Sequence, residues 1–354
     1  MGNLEQRIAI FVRLGEFFRQ FSNKYSDTPL KSTLKYEPFE EKLMQTIQIA
    51  EAHNGWFTRE NVLHALSNWG ALLTREKLEQ WLGAYKIPSG AGKTIAIITA
   101  GNIPLVGFHD LLSVLITGHK AIVKQSSSDR HLLPFIAAYL ENISPLFKDK
   151  VLFTEDTLSG FDAVIATGSN NTSRYFEYYF GKKPNIIRKN RNSVAVLTGK
   201  ETPEQLQGLG EDIFRYFGLG CRSVSKIFIP EGYDFDPFFN AMYSFKDILD
   251  IQKYANNYDY NKAVYLMSLF EIKDNGFLIL RENMAYASPI GTVFYEYYPS
   301  ENILQKKLTD DAHKLQCIVS EGFIENEVLF GKTQRPALHE YADGVDTVDF
   351  LLKI

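Results

Sequence analysis

The chain has very little cysteine: two residues in 354, Cys221 and Cys317. Two thiols so far apart exclude a disulfide framework and a zinc ribbon, and they fit a reducing cytoplasm, where we expect the protein to act. No apolar run approaches the roughly 20 residues of a membrane span, so none is expected. The amphipathic start, MGNLEQRIAIFVRLGEFF, lacks the uninterrupted apolar core of a signal peptide, and Gln6 stands where a myristoylation motif takes Ser or Thr. The two signs of charge nearly balance, with a formal net charge of −4. Lys and Arg number 38 against 42 Asp and Glu, which gives no electrostatic case for nucleic acid or an anionic membrane. Internal repeats and low-complexity tracts are missing. The seven histidines show no ligand spacing, so no metal is expected. GAGKT at 90–94 has Ile87 where a P-loop needs its first glycine, and GNIPLVG lacks the Gly-x-Gly-x-x-Gly fingerprint.

What is present is the composition of a soluble globular protein, 45% hydrophobic and 23% charged, long enough for two or three domains. Residues 1–85 read as helices. Thr58 caps a run with Val62, Leu63, Leu66 and Trp69 on its apolar positions, and Thr74 opens another through Leu78, Trp81 and Leu82. Such helices suit packing or an oligomer surface. From residue 94 strands and helices alternate: TIAIIT, a turn AGNIP, the helix LVGFHDLLSVLITG closed by Gly118, AIVKQ, the helix SDRHLLPFIAAYLENI, FDAVIATGS and the helix NNTSRYFEYYFG. Alternation of this kind predicts a parallel sheet, which binds ligands beyond the carboxyl ends of its strands. TAGNIP and ATGS fall at such ends.

After SVAVLTG, Thr202 and Pro203 open a helix whose apolar face carries Leu206, Leu209, Ile213, Phe214 and Phe217. Gly218 ends it, Cys221 follows, and VSKIFIP is a strand. Taken alone, Cys221 is a reactive thiol on a turn or a small buried hydrophobe. Cys317, inside the apolar LQCIVS, reads as core.

In this order the motifs resemble the aldehyde dehydrogenase superfamily. TIAIITAGNIPLVGFHDLLSVLITGHKAIVKQS is similar to the opening of its cofactor domain, VIATGS to its later Gly-Ser turn, and GLGCRSVSKIFIP to its nucleophilic cysteine and following strand. The resemblance is greatest to the acyl-CoA reductase branch that includes the fatty acyl reductase of bacterial bioluminescence. There NGWFTRENVLHAL and FGKTQRPALHEYADGVDTVDFLL also look alike. The resemblance implies an α/β, aldehyde dehydrogenase-like fold: a helical N-terminal region (1–85), a Rossmann-type cofactor-binding domain (86–195), an α/β catalytic domain (196–325) and a C-terminal return segment (326–354).

It also implies a chemistry. A cysteine thiolate attacks carbonyls and leaves well, so Cys221 takes an acyl group from a thioester, and NADPH, with NADH as the alternative, reduces the bound acyl group to an aldehyde. The Asn102 amide and the Cys221 N–H would hold the oxyanion. Thr99, at the head of TAGNIP, Lys124, Ser127, Gly168 and Ser169 would hold the cofactor, and Ser127 occupies the place where NAD-preferring relatives carry a glutamate on the ribose. Asp129 is nearby. Oxidising relatives carry a water-activating glutamate upstream of the cysteine, but here no acidic residue stands between Glu177 and Glu201. The same stretch holds Lys182, Lys183, Arg188, Lys189 and Arg191, either phosphate partners or a solvated face. Ser288 in SPIGTV replaces the relatives' nicotinamide-ribose glutamate. The expected partners are an acyl-CoA or acyl-protein donor and further copies of the chain. Two alternatives stay open: a cysteine acyltransferase or thioesterase, with His109, His119 or His313 beside Cys221, and a non-catalytic nucleotide-binding homologue with Cys221 buried.

Overall fold

Short apolar runs alternating with amphipathic ones build two sheets in the computed structural model, which describes residues 2–25, 37–88 and 92–354. The first two residues of GAGKT lie outside the described residues. The chain divides into two units, Met1–Lys189 with Ala337–Ile354, and Asn190–Pro336.

The first unit begins with four helices, α1 (Leu4–Tyr25), α2 (Glu37–His53), α3 (Arg59–Leu72) and α4 (Arg75–Leu82). Thr58 and Thr74 accept the N–H groups of Asn61 and Lys77, each at 3.3 Å, and so satisfy donors that a helix start leaves open. One face of α1 is phenylalanine: Phe11, Phe17, Phe18 and Phe21 are all buried. The sheet follows as β1 (Thr94–Ile98), α5 (Phe108–Ile116), β2 (Lys120–Lys124), α6 (Leu132–Ile143), β3 (Val151–Phe153), β4 (Ala163–Thr167), α7 (Asn170–Phe180) and β5 (Asn185–Arg188). Its order is β3-β2-β1-β4-β5, parallel throughout. Ile95, Ala96 and Ile97 are fully buried, as a central strand covered on both faces requires. Phe17 of α1 stacks on Tyr139 of α6 at 4.6 Å, which joins the N-terminal helices to the sheet's own. Helix α5 starts at Phe108, three residues later than the apolar pattern suggests, because Leu105 adopts a left-handed φ of 59°.

The second unit runs β6 (Asn192–Val196), α8 (Pro203–Phe214), β7 (Val224–Pro230), α9 (Asp236–Met242), α10 (Gln252–Met267), β8 (Ile272–Asp274), β9 (Ile279–Glu282), β10 (Thr292–Tyr298), α11 (Glu301–Asp310) and β11 (Leu315–Val319). The order is β11-β6-β7-β10-β9-β8, with β8 alone antiparallel to its neighbour. The chain then rejoins the first unit and closes with α12 (Thr347–Lys353). Polar groups fasten that return. His109 Nε2 donates to the carbonyl of Leu338 at 3.0 Å, Trp81 to Tyr341 Oη at 2.7 Å, and Tyr85 to Asp346 at 2.7 Å. His119 accepts the Lys93 N–H through Nδ1, so its Nε2 carries the proton and donates to Leu351 O at 3.1 Å.

Candidate active site

In the first unit, the carboxyl ends of three adjacent strands bring most of the sequence-chosen residues to one sheet edge. Thr99 follows β1, Lys124 ends β2, and Gly168 and Ser169 follow β4. Thr99 is buried, and its N–H donates to Lys124 O at 3.1 Å. Gly107, at the mouth of α5, has no room for a Cβ, which would lie 2.4 Å from Thr99 Cγ2. The Lys124 ammonium donates to the carbonyl of Asp156 at 3.0 Å. Ser127 is exposed, and its carbonyl is fixed by His53 Nε2 of α2 at 2.7 Å. Asp129 is buried, and burial pushes its carboxyl up to about 6 against hydrogen bonds from the backbones of Leu132 and His131. Its carboxylate therefore serves the start of α6. Ser169 caps α7 by accepting the Thr172 N–H at 3.2 Å. Asn102 lies in the same β1–α5 connection, half-buried.

Most of the basic run makes contacts within the protein, but only Arg188 is buried. Arg188 ends β5 in a buried pair with Asp110 at 2.5 Å and also donates to Thr347 at 3.1 Å. Lys183 donates to Phe161 O and lies over that ring, Lys189 pairs with Glu177 at 2.8 Å, and Arg191 donates to Leu315 O at 3.2 Å. Lys182 is exposed.

In the second unit, Cys221 is exposed and Cys317 buried. Helix α8 opens with a capping box between Thr202 and Gln205 and stops at Phe214. Tyr216, Phe217 and Gly218 then take left-handed φ values of 55°, 59° and 74°. An L-aromatic in this region costs about 1 kcal/mol or more, and burial of both rings offsets it. The result reverses the chain and presents the next turn, in which Ser223 N–H donates to Gly220 O at 3.0 Å. The peptide joining Gly220 to Cys221 is planar and trans, so drawing its carbonyl into the turn aims the Cys221 N–H away from it. On the far side, Ser193 Oγ donates to Cys221 O at 2.9 Å and accepts the Cys317 N–H at 3.1 Å. Arg222 Nε donates to Thr333 O at 2.5 Å, and Gln334 Nε2 donates to Ser223 Oγ at 3.2 Å.

Sequence reasoning passed over Ser193, Asp212, Thr333 and Gln334. A signal existed for two: Ser193 interrupts an apolar strand, and Asp212 sits on the apolar face of α8. Ser288 directs its hydroxyl to Thr292 O at 2.6 Å, closing the turn into β10. His313 is exposed on a short 3-10 turn, and both ring nitrogens of His119 are taken by backbone groups. Among the described residues no cluster of three or more His, Cys, Asp or Glu is arranged for a metal, and no helix is long and apolar enough to cross a membrane.

Comparison with known proteins agrees with this architecture. The family model described as "Acyl-CoA reductase (LuxC)" matches residues 5–244. A long-chain acyl-protein thioester reductase 2 from Photobacterium leiognathi is 25% identical over 223 residues, 55% of this chain and 45% of that protein, so the match spans less than half the relative's length. Among solved structures, aldehyde dehydrogenase 21 from Physcomitrella patens superposes with a TM-score of 0.66 at 11% identity, covering 99% of this chain and 84% of that one. An NAD-dependent benzaldehyde dehydrogenase from Corynebacterium glutamicum gives 0.62 at 12% identity, covering 90% and 77%. At such identities the likeness is one of fold: the chain has an aldehyde dehydrogenase-like α/β architecture.

Proposed function

The chain belongs to the acyl-CoA reductase (LuxC) family, and from that premise we propose that it reduces an acyl thioester to an aldehyde, with Cys221 as the acyl acceptor. One observation carries the reading: of the two cysteines, Cys221 alone is exposed, at the tip of a turn held by a strained and buried approach. The Cys221 thiolate adds to the thioester carbonyl. The carrier's thiolate leaves and takes a proton from solvent, and the acyl group stays on Sγ as a new thioester. The Cys221 N–H and the Asn102 amide are the proposed donors to the developing oxyanion, as the family resemblance implies. In the return step Sγ is the leaving group. Between Glu177 and Glu201 the chain has no carboxylate to activate water, which favours transfer over hydrolysis.

A nicotinamide cofactor bound to the first unit would supply the hydride. The residues there fit one: three neighbouring strand ends share an edge, and the β4 turn leads into the N-terminus of an eleven-residue helix. Thr99, Lys124, Ser127, Gly168 and Ser169 would hold it. An ammonium has three donors, so the bond from Lys124 to Asp156 O does not preclude a ribose contact. Exposed Ser127 and withdrawn Asp129 leave that loop without a projecting carboxylate, which supports NADPH over NADH. The exposure of Cys221 weighs against the non-catalytic reading, and backbone groups hold both ring nitrogens of His119 and Nε2 of His109.

We also propose self-association. Helix α10 buries Tyr254, Tyr258, Asn261 and Tyr265 yet carries a second stripe, Tyr260, Val264 and Met267, on its outer side. Tyr260, Met267 and the adjoining Leu269 are 68%, 86% and 90% exposed. A helix apolar on both sides calls for a second partner. Replacing Met267 and Leu269 together by Lys is expected to convert a dimer to monomer in sedimentation, and a wild-type monomer would sink this part of the proposal.

The deciding experiment mixes purified protein, NADPH and acyl-CoAs of graded chain length, following NADPH oxidation and CoA release together. Equal amounts of both, abolished by Cys221→Ser, are expected. CoA release without NADPH oxidation would replace the reductase by an acyltransferase. Silence with every CoA ester, but turnover of an acylated carrier protein, would move the donor to protein.

A further inference from the structure

We propose that Asp212 is a positioning residue for Cys221, acting through the segment 331–334. The inference deepens the reading of Cys221 as acyl acceptor and rests on it.

Asp212 projects from the last turn of α8 and is 1% exposed. A buried carboxylate is costly unless its oxygens are satisfied. Here Oδ2 accepts the Gly331 N–H at 2.7 Å, while Oδ1 accepts the Thr333 N–H at 3.0 Å and the Thr333 hydroxyl at 2.8 Å. All three donors come from one short stretch more than a hundred residues downstream. One turn earlier on α8, Gly208 lets that stretch lie directly on the helix. A Cβ at Gly208 would come within 3.0 Å of the Phe330 carbonyl carbon and 3.1 Å of Gly331 N. Gly331 meets the approach with a φ of +76°.

The segment does not stop at the helix. Thr333, held by Asp212 through its N–H and hydroxyl, offers its carbonyl to Arg222 Nε. Gln334 donates to Ser223 Oγ, and the Ser223 N–H holds Gly220 O. Thus the two residues after Cys221 are gripped by Thr333, which Asp212 fixes, and by its chain neighbour Gln334, and the second of them sets the peptide plane carrying the Cys221 N–H. No hydrogen bond in this relay exceeds 3.2 Å. Both Asp212 oxygens are engaged by the segment, so its part is to orient the turn without touching substrate.

Asp212→Asn keeps an acceptor for Thr333 but sets an NH2 against the Gly331 N–H, so it loosens the segment at one point. Two readings on the full chain test the proposal: the rate at which iodoacetamide alkylates Cys221 in the folded protein, and the split of kcat from KM with an acyl-CoA. The expected result is a change in alkylation rate of about threefold or more, with kcat down about tenfold and KM little moved. Folded Asp212→Asn with wild-type values of both would overturn the proposal. Should that variant fail to fold, Thr333→Val, which removes one of the three bonds, is read in the same two ways, and wild-type values again overturn it. Alkylation does not depend on turnover. If wild-type Cys221 accepts no acyl group while Asp212→Asn still alters its alkylation, the positioning stands and the reductase reading falls.

Discussion

Ser193, inside strand β6, donates its hydroxyl to the carbonyl of Cys221 at 2.9 Å and takes the Cys317 N–H at 3.1 Å. One fully buried oxygen therefore ties the exposed thiol's backbone to two neighbouring strands.

Ser193→Ala removes that tie and leaves the Cys317 N–H without the hydroxyl it donates to. Loss of a buried partner of this kind costs about 1–3 kcal/mol. Urea unfolding should show a lower midpoint with unchanged slope, and Cys221 alkylation should change as well. A stability loss without any change in thiol reactivity would mean that the turn holds its shape without Ser193.

Lys226 is 0% exposed on β7, pinned by Glu296 and the carbonyl of Met284, with its ammonium 4.9 Å from the centre of the Phe228 ring. Burial lowers its pKa and the Glu296 carboxylate raises it back in part. Glu296 also pairs with Lys307, which is 29% exposed. Glu296→Gln strands a buried ammonium and is expected to cost about 3 kcal/mol or more, whereas Lys307→Met should cost about 1 kcal/mol or less. Equal losses for the two variants would show that Lys226 is not sustained by its carboxylate.

His109 and His119 grip carbonyls near both ends of the C-terminal return, and burial holds both below their ordinary value of 6.5. The unfolded chain then binds protons that the folded one refuses. Stability they contribute is present above about pH 6.5 and is lost as the pH falls below it, by about 1.4 kcal/mol per pH unit for each ring until its folded value is reached. Amide protection in 338–353, taken relative to the intrinsic exchange rate at each pH, should fall from pH 7 to pH 5. In His109→Gln, which can still donate to Leu338 O, the slope should flatten. An identical slope in that variant would clear His109 of the effect.

The helix into the cysteine was legible because periodicity reports burial: Leu206, Leu209, Ile213, Phe214 and Phe217 are all buried. What periodicity misses is the backbone. Phe217 reaches the core from a left-handed turn, and neither it nor Tyr216 carries the Gly or Asn signal of such a turn. Side-chain ties were beyond reach for another reason. Asp212 and Thr333 are 121 residues apart, Arg222 and Thr333 111, and no spacing rule joins them. In the basic run 182–191 the solvated-face reading fits Lys182, Lys183 and Lys189, which are exposed, but charge in sequence does not say which member turns inward. Arg188 found Asp110.

Ser127 offers the sharpest test of the cofactor proposal. Its side chain is exposed after β2, its carbonyl is anchored by His53, and Asp129 beside it is withdrawn to the start of α6. A carboxylate introduced at Ser127 would have no fold contact to lose, because the anchor is a backbone carbonyl. Its charge would repel a 2′-phosphate and accept hydrogen bonds from a ribose that carries none. Ser127→Glu is therefore expected to lower kcat/KM for NADPH by about tenfold or more while sparing or improving NADH, with thermal stability unchanged. Steady-state rates with both cofactors measure the ratio directly. If the ratio stays at its wild-type value, the loop after β2 does not face the adenosine ribose, and Lys124 loses its proposed role along with it.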